Sequence, residues 1–114
     1  MTATVTLYHG TTKASAERMI REGWWPHSHP SGGQCGNPAW LCLTNDPENA
    51  LWYAQEKGCN TVVEVQVPKS FLRVDPHDGV EDTVDAELNN TLNLPGCVVC
   101  TKPLQPESFH IHIK

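Results

Sequence analysis

A chain of 114 residues carrying a net charge of −5 can build one hydrophobic core and little more. Its acidic balance, without a lysine- or arginine-rich run, excludes a broad electrostatic grip on nucleic acid, while a few arginines still suffice for a small phosphorylated ligand. No apolar run reaches the length of a membrane span, and Met1-Thr2-Ala3-Thr4 lacks the basic and apolar regions of a signal peptide, so the expectation is one cytoplasmic domain over residues 1–114.

In chain order, Thr4 to Tyr8 reads as a strand, with Val5 and Leu7 on one face and His9 next in the same alternation. The stretch Leu7-Tyr8-His9-Gly10-Thr11 then sets an imidazole, a bare peptide and a hydroxyl at the strand's end. Glycine has no side chain, so a flat ligand can lie against its peptide. Thr11 or Thr12 caps a helix from about Lys13 to Glu22, with Ala16, Met19 and Ile20 as its apolar stripe and Gly23 as its stop. Trp24 and Trp25 cannot both face one core from extended chain, so at least one lines a groove or packs under the loop that follows. That loop, His27 to Pro38, is rich in Gly, Ser, Pro and His.

Strand character returns over Ala39 to Leu43. Thr44-Asn45-Asp46-Pro47-Glu48 is a helix start, with Asp46 as N-cap, Pro47 in the first helical position and Glu48 at the positive end of the dipole. This helix runs to about Lys57 and stops at Gly58. Thr61 to Val67 alternates Val63, Val65 and Val67 with Glu64 and Gln66, and Pro68 ends it. Phe71 to Pro76 reads as a short edge segment, Asp82 to Asn90 as a short helix, and Val98–Thr101 and Ser108–Lys114 as two last strands. In the last of these Phe109, Ile111 and Ile113 face inward and His110 and His112 outward. Helices early and strands late make the chain α+β.

Five cysteines, Cys35, Cys42, Cys59, Cys97 and Cys100, are an odd count without a signal peptide, which favours free thiols. Cys97 and Cys100 have the two-residue gap of zinc and redox sites, yet in a β-like run they point to opposite faces. His27, His29 and Cys35 raise metal binding as well. Neither group is completed by a second ligand pair, so no metal is expected.

Taken together, Tyr8-His9-Gly10-Thr11, the helix ending at Gly23, the run Trp40 to Ala54, Val63-Glu64-Val65-Gln66-Val67-Pro68 and the late Pro103-Leu104-Gln105-Pro106-Glu107 resemble the ADP-ribosyltransferase superfamily. The likeness covers most of the chain and is to the compact His-Tyr-acid, diphtheria-toxin-like branch. It implies a compact ADP-ribosyltransferase-like fold with two small antiparallel sheets and a few short helices. It also implies that NAD is the substrate, bound by Tyr8, His9, Gly10, Thr11, Cys42, Thr44 and Tyr53. His9 would hydrogen-bond the adenosine ribose, the Gly10 backbone would hold the nicotinamide carboxamide with help from Thr11, and Tyr53 would stack on nicotinamide. Such stacking is worth about 1–3 kcal/mol. Cleavage of the nicotinamide–ribose bond passes through an oxocarbenium-like state, as in glycoside hydrolysis.

Two positions depart from the family's pattern. Cys42 stands where its second-motif tyrosine belongs, and Gly96-Cys97 where its late catalytic glutamate belongs. Small rifamycin ADP-ribosyltransferases carry their acid earlier, as an Asp-Pro after the valine-rich strand, and Asp75-Pro76 holds the matching place. The resemblance therefore implies His9, Tyr53 and Asp75 as the catalytic set, with Asp85 and Glu87 in reserve. A turn aspartate before proline is the structural alternative for Asp75.

The expected function is NAD-dependent mono-ADP-ribosyl transfer, a glycosyltransferase reaction, to a small molecule, a protein or a nucleic-acid end. A degenerate domain that binds NAD or ADP-ribose without chemistry is the alternative that Cys42 and Cys97 raise. An RNA 2′-phosphotransferase shares the His-Gly-Thr opening but needs several arginines for its phosphates. The chain has only Arg18, Arg21 and Arg73, so that function ranks last. The acceptor would meet the Trp24-Trp25 pair and the 27–38 loop, since loops on a rigid scaffold usually set specificity.

Overall fold

The computed structural model describes residues 4–28, 39–76, 79–89 and 95–113. The first strand, β1 (Thr4–Thr11), continues past the expected end at Tyr8 and takes His9, Gly10 and Thr11 into the sheet. Its partner is β3 (Thr61–Pro68), and the antiparallel ladder is unbroken from Thr4↔Pro68 to Thr11↔Thr61. A long partner strand supplies hydrogen bonds to every backbone group it faces, which outweighs the local tendency of a glycine to turn. Helix α1 (Lys13–Glu22) begins where Thr12 Oγ1 accepts the Ser15 amide at 3.1 Å, and Gly23 closes it by donating to the Met19 carbonyl at 2.7 Å. Ala16 and Met19 are buried, whereas Ile20, expected in the same stripe, is partly exposed.

Strand β2 (Leu41–Thr44) starts and ends later than expected, because Thr44 pairs with β1 on one side and with β5 on the other before the chain turns. Helix α2 (Pro47–Glu56) has the expected start, with the Asp46 carboxylate accepting the Glu48 amide at 2.9 Å and Pro47 in the first turn. A turn of 3₁₀ helix, Lys69–Phe71, leads into β4 (Leu72–Val74), which is an edge strand as expected. Helix α3 (Val84–Leu88), β5 (Cys97–Cys100), a second 3₁₀ turn at Pro106–Ser108 and β6 (Phe109–Ile113) complete the chain.

The protein is α+β. Among the described residues all strand pairings are antiparallel, in one sheet ordered β4-β5-β2-β1-β3-β6. Two small sheets were the expectation. The difference rests on one seam: β1 and β2 share the single registered pair Tyr8↔Thr44, which joins the half β4-β5-β2 to the half β1-β3-β6. Among the described residues no helix is long and apolar enough to cross a membrane.

The sheet's two faces carry different loads. Leu7, Val63, Val65, Val67, Leu43, Val98 and Phe109 form the main core with Ala16 and Met19 of α1. Trp24 and Leu104 close it, each donating its amide to the other's carbonyl, at 2.9 and 2.7 Å. The tryptophan pair divides as alternation requires, Trp24 buried and Trp25 40% exposed. Residues of the opposite parity, Gly10 and Val62 among them, face α2.

Cys97 and Cys100 likewise take opposite faces, and only Cys100 joins the main core. Neither is in a disulfide, nor is Cys59. Cys42 is disulfide-bonded, which corrects the expectation of free thiols. An odd count leaves one thiol over but does not prevent a pair.

Burial pushes the Cys100 thiol from its ordinary 9.0 up to about 11, and a backbone hydrogen bond at Lys102 offsets part of the rise. The unfolded thiol therefore ionises first. Between those two values the unfolded state binds fewer protons than the folded one, so stability falls as pH rises through that window. Urea midpoints compared at pH 9 and pH 11 should show a loss of about 2 kcal/mol that the Cys100→Ala variant lacks.

Candidate functional site

His9 is 3% exposed, although the sequence places it one step beyond a strand. Its Nδ1 lies 2.8 Å from the Cys42 carbonyl oxygen. A carbonyl can only accept, so Nδ1 carries a proton and donates; in the neutral ring Nε2 is then the acceptor nitrogen. This contact occurs where the β1–β2 ladder has already ended at Tyr8↔Thr44. The imidazole thus continues across the seam in place of a backbone pair, and it ties His9 to Cys42, two of the expected site residues.

Gly10 has a packing reason the sequence did not reveal. A Cβ there would overlap the Ala50 carbonyl oxygen and stand 3.0 Å from the Ala54 Cβ. Helix α2 therefore rests directly on β1, and the open face expected for a flat ligand is filled by protein. Tyr53, one turn beyond Ala50, is half-buried, with its ring edge-on to Trp52 at 5.1 Å between centroids. Thr11 ends β1 opposite Thr61.

Directly paired residues share a face, so Cys97, Thr44, Tyr8, Glu64 and His110 form one row across the sheet. Tyr8 and His9 consequently point to opposite faces, and Tyr8 packs on His112, with 5.0 Å between ring centroids. Thr44 is buried, and its Oγ1 accepts from the Asp46 amide at 3.3 Å and from Asn49 Nδ2 at 3.4 Å.

Asp75 extends the row at the other edge, its amide donating to the Cys97 carbonyl at 3.0 Å, and it is 4% exposed. The two reserve acids fare differently. Asp85 is at the surface, paired with Lys69 at 2.7 Å. Glu87 is wholly buried: Oε1 accepts the amides of Val80 and Glu81 at 2.7 and 2.9 Å, and Oε2 accepts that of Cys97 at 2.9 Å. At Gly96 a Cβ would come within 2.8 Å of the Glu87 carbonyl oxygen, so α3 leaves no room for a glutamate at that position.

Asn45 is a residue that sequence reasoning missed. Its Nδ2 donates to the Leu88 carbonyl at 2.9 Å, its Oδ1 accepts the Gly96 amide at 2.8 Å, and its own amide donates to the Gly96 carbonyl at 3.2 Å. It fastens the entry of α2 to α3 and β5. No local pattern marks it, since an asparagine beside an N-cap reads only as part of the helix start.

Of the arginines, Arg18 and Arg21 both pair with Glu22, at 3.7 and 3.0 Å, and Arg73 is exposed on β4. His27 sits at the third position of a turn in which the Ser28 amide reaches the Trp25 carbonyl at 2.9 Å, with φ +68. His29 and Cys35, and the 27–38 loop beyond Ser28, lie outside the described residues. Among the described residues no three His, Cys, Asp or Glu side chains converge as a metal site. No family model matches this chain, and no curated protein matches it.

The Gly10 contact sets a stability test. Gly10→Ala drives a methyl into helix backbone, which flexible side chains cannot absorb, so urea unfolding should show a loss of about 3 kcal/mol or more, at the upper end for overpacking. An unchanged midpoint would mean that α2 is not seated on β1.

Proposed function

We propose that the protein is an NAD-dependent mono-ADP-ribosyltransferase of the compact His-Tyr-acid kind, with an ADP-ribosyltransferase-like fold. The observation that carries this is His9, buried at the seam with Nδ1 donating to the Cys42 carbonyl. In the neutral ring that bond makes Nε2 the acceptor, the atom that would meet a ribose hydroxyl. Further support comes from the division of the sheet into two halves at the same seam, and from Tyr53 one turn along α2 from the Gly10 contact.

In this proposal His9 orients the adenosine ribose, the Gly10 backbone and Thr11 hold the carboxamide, and Tyr53 supplies the stacking surface. Tyr8, Cys42 and Thr44 shape the strand walls. Asp75 faces the positive charge that develops on the ribose as nicotinamide leaves. A fixed carboxylate gains most in a partly dry site, and 4% exposure is in keeping with that role. The acceptor is proposed as a small molecule, a protein or a nucleic-acid end, and the setting as cytoplasmic.

A second function has its own observation. Position 96 has no room for a side chain and position 97 holds a buried thiol, so neither residue at the place of the family's late glutamate supplies a carboxylate. That favours a domain that binds NAD or ADP-ribose without turning it over. The RNA 2′-phosphotransferase alternative is weakened by the pairing of Arg18 and Arg21 with one glutamate on α1.

Calorimetric titration with millimolar NAD, ADP-ribose and nicotinamide separates binding from its absence, and mass spectrometry of protein incubated with NAD and cell extract separates transferase from binder. Asp75→Asn should lower nicotinamide release by about 10²-fold with little change in NAD affinity, and Tyr53→Ala should mainly weaken binding. Wild-type turnover in Asp75→Asn would remove Asp75 from the mechanism, and no heat or thermal shift with any of the three ligands would remove the proposal.

A further inference from the structure

Glu87 is a carboxylate placed wholly inside the protein and bound by three backbone amides. We infer that Glu87 is the positioning residue for Asp75, and that through three backbone amides its carboxylate fixes where the candidate acid stands, an inference that rests on the proposed role of Asp75.

The connections run both ways from Asp75. Its amide donates to the Cys97 carbonyl at 3.0 Å, and the amide of that same Cys97 donates to Glu87 Oε2 at 2.9 Å. Its carbonyl accepts the Gly79 amide at 2.9 Å, and the next two amides, Val80 and Glu81, go to Glu87 Oε1 at 2.7 and 2.9 Å. Asp75 and residues 79–81 are therefore both tied to Glu87, the latter directly through Val80 and Glu81 and Asp75 through the Cys97 peptide.

The chemistry of the group explains why it is a carboxylate. Both oxygens accept, and a glutamine of the same shape would turn an NH₂ toward at least one N–H. Taking an ion out of water costs several kcal/mol, which charge-assisted bonds to three amides offset. Glu87 is 0% exposed, so it acts on the chemistry through the backbone it holds and not by touching substrate. Helix α3 has five residues, too few to hold itself. Packing of Val84 and Leu88 on the core and the Asn45 bond to the Leu88 carbonyl fix it in place.

The test is Glu87→Gln in the full chain, read in three ways. Amide exchange at Val80, Glu81 and Cys97 should accelerate at least about 10-fold, and the Asp75 carboxyl ¹³C resonance at pH 7 should move. Nicotinamide release should fall about 10-fold in kcat with KM for NAD within about twofold, because the NAD-facing residues on β1 and α2 are untouched. Faster amide exchange with an unmoved Asp75 resonance and wild-type kcat would overturn the inference and leave Glu87 a stability residue. An equal loss in kcat and KM would overturn it too. If wild-type protein releases no nicotinamide, the transferase proposal fails, and the Asp75 resonance alone then decides whether Glu87 positions it. If the variant does not fold, exchange in wild-type protein decides: Asp75, Gly79, Val80, Glu81 and Cys97 should open as one unit, and separate, easier opening of Asp75 would overturn the inference.

Discussion

Helix α2 lies so close to β1 that position 10 cannot carry a side chain, and much of the molecule follows from that approach. Ala50 and Ala54 are the small residues that allow it from the helix side. With α2 seated there, Asp46 can cap the helix one residue past the Asn45 staple and two past the Thr44 pairing with Tyr8. Tyr53 follows Ala50 by one turn of the same helix. A glycine that looks like a ligand feature in the sequence is thus a requirement of helix–sheet packing. Any ligand contact at Gly10 has to be made by its peptide groups, not by the space above its Cα.

The second constraint is the seam. Every other strand junction in the sheet has three or more registered pairs, while β1 and β2 share Tyr8↔Thr44 alone. Beyond it the His9 imidazole takes up the Cys42 carbonyl. A side chain used this way is fixed in tautomer as well as in orientation, and buried polar groups fixed in advance make good binding partners, since little ordering remains to be done when a ligand arrives. The disulfide of Cys42 adds a covalent restraint to the strand whose carbonyl holds His9.

On the far side of β2 the polar groups are organised by backbone rather than by ligand. Asn45 and Glu87 together take up amides and carbonyls of positions 80, 81, 88, 96 and 97, and without them β5 and α3 would bury unpaired groups. The space that a late glutamate would need is spent on this packing. Asp75 emerges from it as a buried carboxylate whose own backbone is held at both ends.

The sequence by itself determined the elements. Hydrophobic period, the Thr12 and Asp46 caps, Pro47 and the stops at Gly23 and Gly58 are local signals, and α1 was legible to its end residues. The valine alternation of β3 and the edge character of β4 were equally plain. Only the tertiary structure decided how far β1 runs, because its last three residues owe their strand geometry to Thr61, Val62 and Val63, fifty residues away. The division of Tyr8 and His9 between faces follows from the alternation, but the single sheet and the different fates of Asp75, Asp85 and Glu87 were beyond the sequence. An aspartate before a proline looks the same in a surface turn as in a buried one. Its surroundings come from a strand pairing and a short helix that no local pattern can supply.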